Sequence, residues 1–290
     1  MRRVVITGAG GQLGVELLRR IPEGVEATGL DRSALDLADR SAVLATMQRI
    51  EPAAIINAGA YTAVDRAETE SEAAYRANAE GPRHLAAAAA AVGARLLHVS
   101  TDFVFDGRKS SPYLPDDATA PLGVYGASKL AGEQAVHETA GVDALIVRTG
   151  WVYSAHGQNF VRTMLRVMRE RPEIRVVADQ VGTPTSTATL AQTLWTLLRH
   201  EAPAGTYHCS DAGAASWYDF ACAIRELAQA RSGEKLAPVQ PIATADYPTP
   251  ARRPAYSVLD KTATWAITGA APHWREPLQA VIDTLVTTQR

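Results

Sequence analysis

From Arg2 onward, short apolar runs alternate with longer stretches whose apolar positions recur every three or four residues. The runs are Val4-Val5-Ile6, Glu26 to Leu30, Ala53 to Asn57, Leu96 to Ser100 and Ala144 to Arg148. Each has strand length, and they are too continuously apolar to keep a solvated face. Between them lie helical patterns from Val15 to about Arg20, Ala38 to Ile50, Ser71 to Asn78, Leu85 to Val92, and Tyr125 to about Glu138. Buried strands in regular alternation with helices predict an α/β fold, a doubly wound parallel sheet (Rossmann) covered on both faces. Past Gly150 the helices lengthen, at Asn159 to Arg169, Thr187 to His200 and Trp217 to Ala230, and proline-rich connectors appear between Pro241 and Pro254. This change divides the chain into a dinucleotide-binding domain over 1–150 and a smaller C-terminal substrate-binding part over 151–290. The segment at about 186–210 is expected to return to the sheet.

The first strand runs straight into Gly8-Ala9-Gly10-Gly11-Gln12-Leu13-Gly14. A chain that turns sharply, approaches a pyrophosphate closely and then packs a helix on a strand needs positions without a Cβ, and Gly8, Gly11 and Gly14 supply them. The following helix would aim free N–H groups at the phosphates. The second strand ends in Asp31, about twenty residues on, where a carboxylate would accept the adenosine ribose hydroxyls of NAD. Arg32 beside it would suit a 2′-phosphate, so both NADH and NADPH stay open. At the end of the third strand the small residues Ala58-Gly59-Ala60 leave room for a ligand at the edge where open α/β sheets bind one.

Composition narrows the partners. A net charge of −2 and a pI near 6.4 give no basic surplus for nucleic acid or anionic lipid. The apolar run behind Arg2-Arg3 is cut by Gly8 too early for a signal-peptide core or a membrane span, so a cytoplasmic protein is expected. Cys209 and Cys222 are too few for a disulfide framework and lack zinc-site spacing. No metal site is expected.

Tyr125 and Lys129 stand four apart on one helix face. An ammonium close to a phenol favours the phenolate and would lower its pKa from near ~10 toward working pH, making it a proton donor to a carbonyl oxygen. Thr101, in Ser100-Thr101-Asp102 at the end of a strand, offers a hydroxyl to the same oxygen as it becomes negative. The loop from Asp102 to Gly123 is long enough to be functional, and Phe103, Val104, Phe105 and Tyr113 argue that it is ordered.

Together, Gly8-x-x-Gly11-Gln12-Leu13-Gly14, the block Asn57 to Asp65, Ser100 to Gly107 and Tyr125-Gly126-x-x-Lys129-Leu130-x-Gly132-Glu133 resemble the extended short-chain dehydrogenase/reductase superfamily and, within it, the dTDP-4-dehydrorhamnose reductase family. Segments from Arg148 to Tyr153, Asp179 to Thr185 and Tyr247 to Pro254 agree, so the likeness covers nearly the whole chain. The resemblance implies reduction of the C4 keto group of dTDP-4-dehydro-L-rhamnose by NADPH or NADH. It implies that Gly11, Gln12 and Leu13 touch the pyrophosphate, Asp31 the ribose, and Asp36 with Leu37 the adenine. Ala60, Tyr61, Thr62 and Val99 would line the nicotinamide half, and Lys129 would also hold its ribose. Tyr125 would donate the proton, Thr101 and Asp102 would contact the sugar, Trp151 would pack on it, and Arg253 would pair with the substrate diphosphate.

Some family members bind magnesium through glutamates at a dimer contact. Glu16 matches one of these, but Ala188 stands where such members carry glutamate, so the expectation is a monomer or a metal-free homodimer. Sugar-nucleotide dehydratases carry an acid where this chain has Phe103, which speaks against elimination. A third possibility is a non-catalytic NADP-binding module like the regulatory subunit of methionine adenosyltransferase.

Overall fold

The computed structural model describes residues 2–287. Five strands come first, β1 (Arg2–Thr7), β2 (Val25–Leu30), β3 (Ala54–Asn57), β4 (Arg95–Thr101) and β5 (Asp143–Thr149). With the strand Gly205–His208 they form one six-stranded sheet in the order Gly205–His208, β5, β4, β3, β1, β2. Every pairing is parallel, as the alternation of strand and helix predicts. The chain leaves β1 for β2 on one side and returns to β3 on the other, which opens a crevice at the carboxyl ends of β1 and β3.

The period of two along the strands divides the core. Val4, Ile6, Ile56, Leu97 and Val147 face Leu13, Leu17, Leu190 and Leu194 on one side. Val5, Ile55, Leu96 and Ile146 face Val43, Met47, Leu85 and Ala89 on the other. Ala86, Ala88 and Ala89 are buried, so the alanine-rich helix comes close to the sheet because its contact face carries only methyl groups. A separate apolar cluster, including Tyr153, Leu165, Phe220, Ile224, Trp274 and Ile282, builds the C-terminal part.

Three local readings shift. The first helix spans Gln12–Arg19 and begins at the glycine turn itself, with Gly11 as its N-cap. The strongly charged turn after β2 runs on to Asp39, which caps the helix Arg40–Ile50 by accepting from the Ala42 N–H. The helix beginning at Ser71 does not stop at Asn78. It passes through a π-helical turn, Arg76–Glu80, into Gly81–Val92. Pro82 lacks an N–H and fits there because the widened turn has already loosened the backbone ladder.

The loop from Asp102 to Gly123 is held down by its aromatics. Phe105 and Tyr113 stack at 4.2 Å, both are fully buried, and Tyr113 exchanges backbone hydrogen bonds with Val258 and Asp260. Among the described residues, no helix is long and apolar enough to cross a membrane.

Candidate active site

The glycine turn builds a bare concavity. Gly8 has φ +71, and a Cβ there would lie 2.5 Å from the Gly59 N at the end of β3. A Cβ on Gly14 would lie 2.3 Å from the Gly8 carbonyl oxygen, so the first helix seats on the turn only without one. Backbone this bare beside a helix N-terminus fits a dinucleotide pyrophosphate. A polar row fixes the turn in register across three strands, where Thr7 pairs with Asn57 and Asn57 with His98. Asn57 Oδ1 accepts the Thr7 hydroxyl at 2.8 Å and the Gly59 N–H at 3.1 Å. Its Nδ2 lies 3.0 Å from His98 Nδ1, and burial holds that imidazole well below its usual pKa and neutral.

Asp31 sits at the end of β2, its Cβ 3.7 Å from where a Cβ on Gly10 would be. Its Oδ1 accepts the Ser33 N–H, the Ser33 hydroxyl and the Ala34 N–H, and these bonds lower the carboxyl's pKa. Arg32 beside it is exposed. Asp36 accepts the Ala38 N–H, and the Leu37 side chain lies against Gly59, so the turn after β2 reaches the crevice. Gln12 faces the other way. Its Oε1 accepts from the Ser154 hydroxyl at 3.0 Å and from Asn159 Nδ2 at 2.8 Å, tying the glycine turn to the C-terminal part. Leu13 is buried in the core. Glu16 is engaged by Arg20, one helical turn on, at 2.5 Å.

Past Ala58 and Ala60, Tyr61 is clamped by Asn78, which accepts its N–H at 2.8 Å and donates to its carbonyl at 3.0 Å. Asn78 also donates to the Ser128 hydroxyl on the helix Val124–His137. The Tyr61 hydroxyl is turned to Glu70 at 2.6 Å, while Thr62 is exposed. No local pattern marks Asn78, because its partners lie 17 and 50 residues away. The N-terminus of that same helix is capped by a carboxylate from elsewhere, with the Val124 N–H donating to Glu68 at 2.8 Å.

Tyr125 and Lys129 both project from this helix to the ends of β4. Lys129 is 2% exposed and donates to the Val99 carbonyl at 2.7 Å. Burial lowers its pKa to about 8, against the pull of Glu133. The phenol does not behave as its spacing suggests. Burial pushes Tyr125 up to about 12, a hydrogen bond from Thr101 offsets part of this, and the Asp102 charge adds to it. Desolvation is the largest cause and holds the phenol protonated, while the Lys129 ammonium spends its hydrogen bond on a backbone carbonyl. Phe103 packs edge-on against the ring at 5.6 Å, so an apolar group stands where a dehydratase would need an acid.

Asp102 is buried at 2% exposure, accepts the Thr101 hydroxyl at 3.1 Å, and takes a hydrogen bond from Ser257. Burial raises its carboxyl from 3.8 to about 6. The folded protein therefore binds this proton more tightly than the unfolded chain does, and the associated stability is present below pH 3.8 and lost as pH rises through about 6. Asp102→Asn should raise stability at pH 7 by up to roughly 3 kcal/mol and have little effect near pH 4. Denaturant melts at the two pH values check this, and an equal shift at both would contradict it.

Trp151 follows β5 and stacks on Trp217 at 3.5 Å. Arg253 lies elsewhere than on an open anion site. Its guanidinium grips Asp65 with both arms, at 3.0 and 2.8 Å, and also donates to Thr249 and the Ala251 carbonyl. A diphosphate would have to compete with Asp65 for it.

The glycine turn at β1, the Tyr-x-x-x-Lys helix and the hydroxyl at the end of β4 define a dinucleotide-binding α/β protein of the short-chain dehydrogenase/reductase class. Residues 1–287 match the RmlD substrate binding domain family, and the chain belongs to it. It is 44% identical over 287 residues to the dTDP-4-dehydrorhamnose reductase of Burkholderia thailandensis, covering 94% of this chain and 95% of that one. The crystal structure of a dTDP-4-dehydrorhamnose reductase from Clostridium acetobutylicum superposes with a TM-score of 0.92 at 40% identity, over 98% of this chain and 99% of that one. The Bacillus anthracis dTDP-4-dehydrorhamnose reductase in complex with NADP gives a TM-score of 0.90 at 41% identity, over 97% and 99%.

Proposed function

We propose that this protein is an NAD(P)H-dependent oxidoreductase that reduces the C4 keto group of dTDP-4-dehydro-L-rhamnose to dTDP-L-rhamnose, in dTDP-rhamnose biosynthesis. The observation that carries the reading is geometric: Tyr125 stands one helical turn from Lys129, whose buried ammonium donates to the Val99 carbonyl, with Thr101 at the end of the same strand and Phe103 rather than an acid packed on the phenol ring. A bound dihydronicotinamide supplies the hydride that the carbonyl carbon accepts. Gly8, Gly11 and the backbone N–H groups of Gln12 and Leu13 at the helix N-terminus would hold its pyrophosphate, Asp31 with Arg32 the adenosine ribose, and Asp36 with Leu37 the adenine. Ala58, Ala60, Tyr61, Thr62 and Val99 would line the nicotinamide end. Residues 1–150, with the returning strand, would serve the cofactor, and 151–290 the sugar nucleotide.

Tyr125 would release its phenolic proton to the carbonyl oxygen as charge develops there. Because its pKa lies near 12, the phenol is in the donor form throughout the neutral range. The Thr101 hydroxyl, which donates to Asp102 Oδ1 in the free protein, would turn its single proton to the developing oxyanion, and the Lys129 charge would favour the phenolate. A group with a pKa of about 8 loses this charge above that pH, so kcat/KM should fall as pH rises past about 8. A flat profile to pH 10 would remove Lys129 charge from the mechanism.

Oxidation of NADH and of NADPH, each followed with and without the 4-keto sugar nucleotide, tests the reading. Turnover dependent on that sugar is the expected result, and cofactor binding without turnover would favour a non-catalytic binding module. The reading includes a cytoplasmic monomer or metal-free homodimer, and a molar mass in solution that depends on magnesium would overturn its metal-free part.

A further inference from the structure

Trp151 is held in a conformation that its own sequence does not favour. Its φ is +51, a left-handed value uncommon for any residue with a Cβ and costly for a bulky one. Such a conformation persists only where the surroundings over-determine it, and three contacts do so here. The Trp217 ring lies on the Trp151 ring at 3.5 Å with 3° between the planes. A Cβ on Gly182 would come within 2.7 Å of the Trp151 indole edge. The Thr185 N–H donates to the Trp151 carbonyl at 3.2 Å.

These contacts belong to one assembly. The strand Ala215–Ser216 pairs antiparallel with Val181–Gly182, which places Gly182 and Trp217 together beside Trp151. Trp217 is the first residue of the helix Trp217–Ser232. A reciprocal capping box between Ser216 and Asp219 fixes that helix end, and Phe160 backs the Trp217 ring at 4.7 Å. The assembly borders the reacting groups through two close approaches. A Cβ on Gly182 would meet the Ser257 hydroxyl at 2.8 Å, the same hydroxyl that hydrogen-bonds Asp102, and a Cβ on Gly150 would meet Asp102 Oδ2 at 2.5 Å.

We propose that Trp217 is a positioning residue for the sugar nucleotide, acting through Trp151: its stacked ring holds Trp151 in the strained conformation that forms the sugar-facing wall beside Asp102. This rests on the proposed reductase reading. The consequence is specific, since losing the stack should release Trp151 and weaken sugar-nucleotide binding while leaving the cofactor crevice at β1 and the Tyr125 chemistry as they are.

The test compares the unaltered protein with Trp217→Phe, which keeps an aromatic face, and Trp217→Leu, which does not. Circular dichroism reads the coupled signal of two stacked indoles, which should disappear in both variants while helix content is retained. Calorimetry with dTDP-L-rhamnose in the presence of NADP⁺ should give a Kd about tenfold weaker for Trp217→Leu and within about twofold for Trp217→Phe. KM for the 4-keto sugar nucleotide should follow, with kcat and the NADP⁺ Kd nearly unchanged. Unaltered sugar-nucleotide affinity in Trp217→Leu would overturn the proposal. So would a parallel loss of sugar affinity, cofactor affinity and kcat in both variants, which marks a residue that only supports the fold. A protein with no turnover before any substitution would instead overturn the reductase reading, and this inference with it.

Discussion

Tyr125→Phe should lower kcat by about 10²–10⁴-fold while leaving the NADPH Kd within about twofold. The substitution removes one oxygen and keeps the ring that packs against Phe103, so the helix and the crevice stay in place. What is lost is the phenolic proton beside Thr101 and Asp102. Because burial holds that phenol near 12, its proton leaves only when the carbonyl oxygen has become basic enough to take it, which makes the residue a transition-state donor rather than a ground-state acid. Single-turnover kinetics with saturating cofactor read the loss directly. Near-normal turnover in the variant would assign the proton to another group.

The largest effect on stability should come from Arg148→Met. Arg148 at the end of β5 and Glu133 on the Tyr125 helix form a two-armed ion pair, with side chains only 7% and 2% exposed. The arms measure 2.7 to 3.2 Å, a third donor reaches the Pro115 carbonyl, and the guanidinium sits 5.1 Å over the Phe105 ring. Removing the arginine strands a carboxylate in the interior, which should cost about 3–5 kcal/mol and lower Tm by about 10 °C. The double variant Glu133→Leu/Arg148→Met should recover most of the loss, since the stranded charge is gone. The exposed pair Arg66 with Glu70, broken as a control, should change stability by no more than about 1 kcal/mol. A drop at Arg148 as small as the control's would mean that the pair is solvated.

The fold was legible because its signals are local. Val4, Val5 and Ile6 alternate between two cores, and Gly8 at the strand's end takes the positive φ that the turn needs. The spacing of Tyr125 and Lys129 was equally local, and the helix brings both to the end of β4. The electrostatics of that pair were not. How far the phenol is desolvated depends on Phe103 and Asp102 in the turn after β4, and desolvation raises its pKa where the spacing to Lys129 alone suggests a lowering. Asn78 was invisible for a related reason, as it acts through a π-helical turn and through partners contributed by Tyr61 and Ser128. For Arg253 the resemblance implies a diphosphate partner, and no local pattern signals Asp65, 188 residues earlier, which takes up its fork in the free protein. Trp217 has no motif of its own, and its meaning comes from the ring stacked on it.

The central claim is hydride addition to C4 of the sugar with Tyr125 as the proton donor, and isotope tracing tests it most directly. Cofactor dideuterated at nicotinamide C4 and mixed with dTDP-4-dehydro-L-rhamnose should give dTDP-L-rhamnose carrying deuterium at sugar C4, and Tyr125→Phe should transfer it about 10²–10⁴-fold more slowly while still binding both ligands. Deuterium at any other sugar carbon, or transfer at the unaltered rate in the variant, would contradict the account.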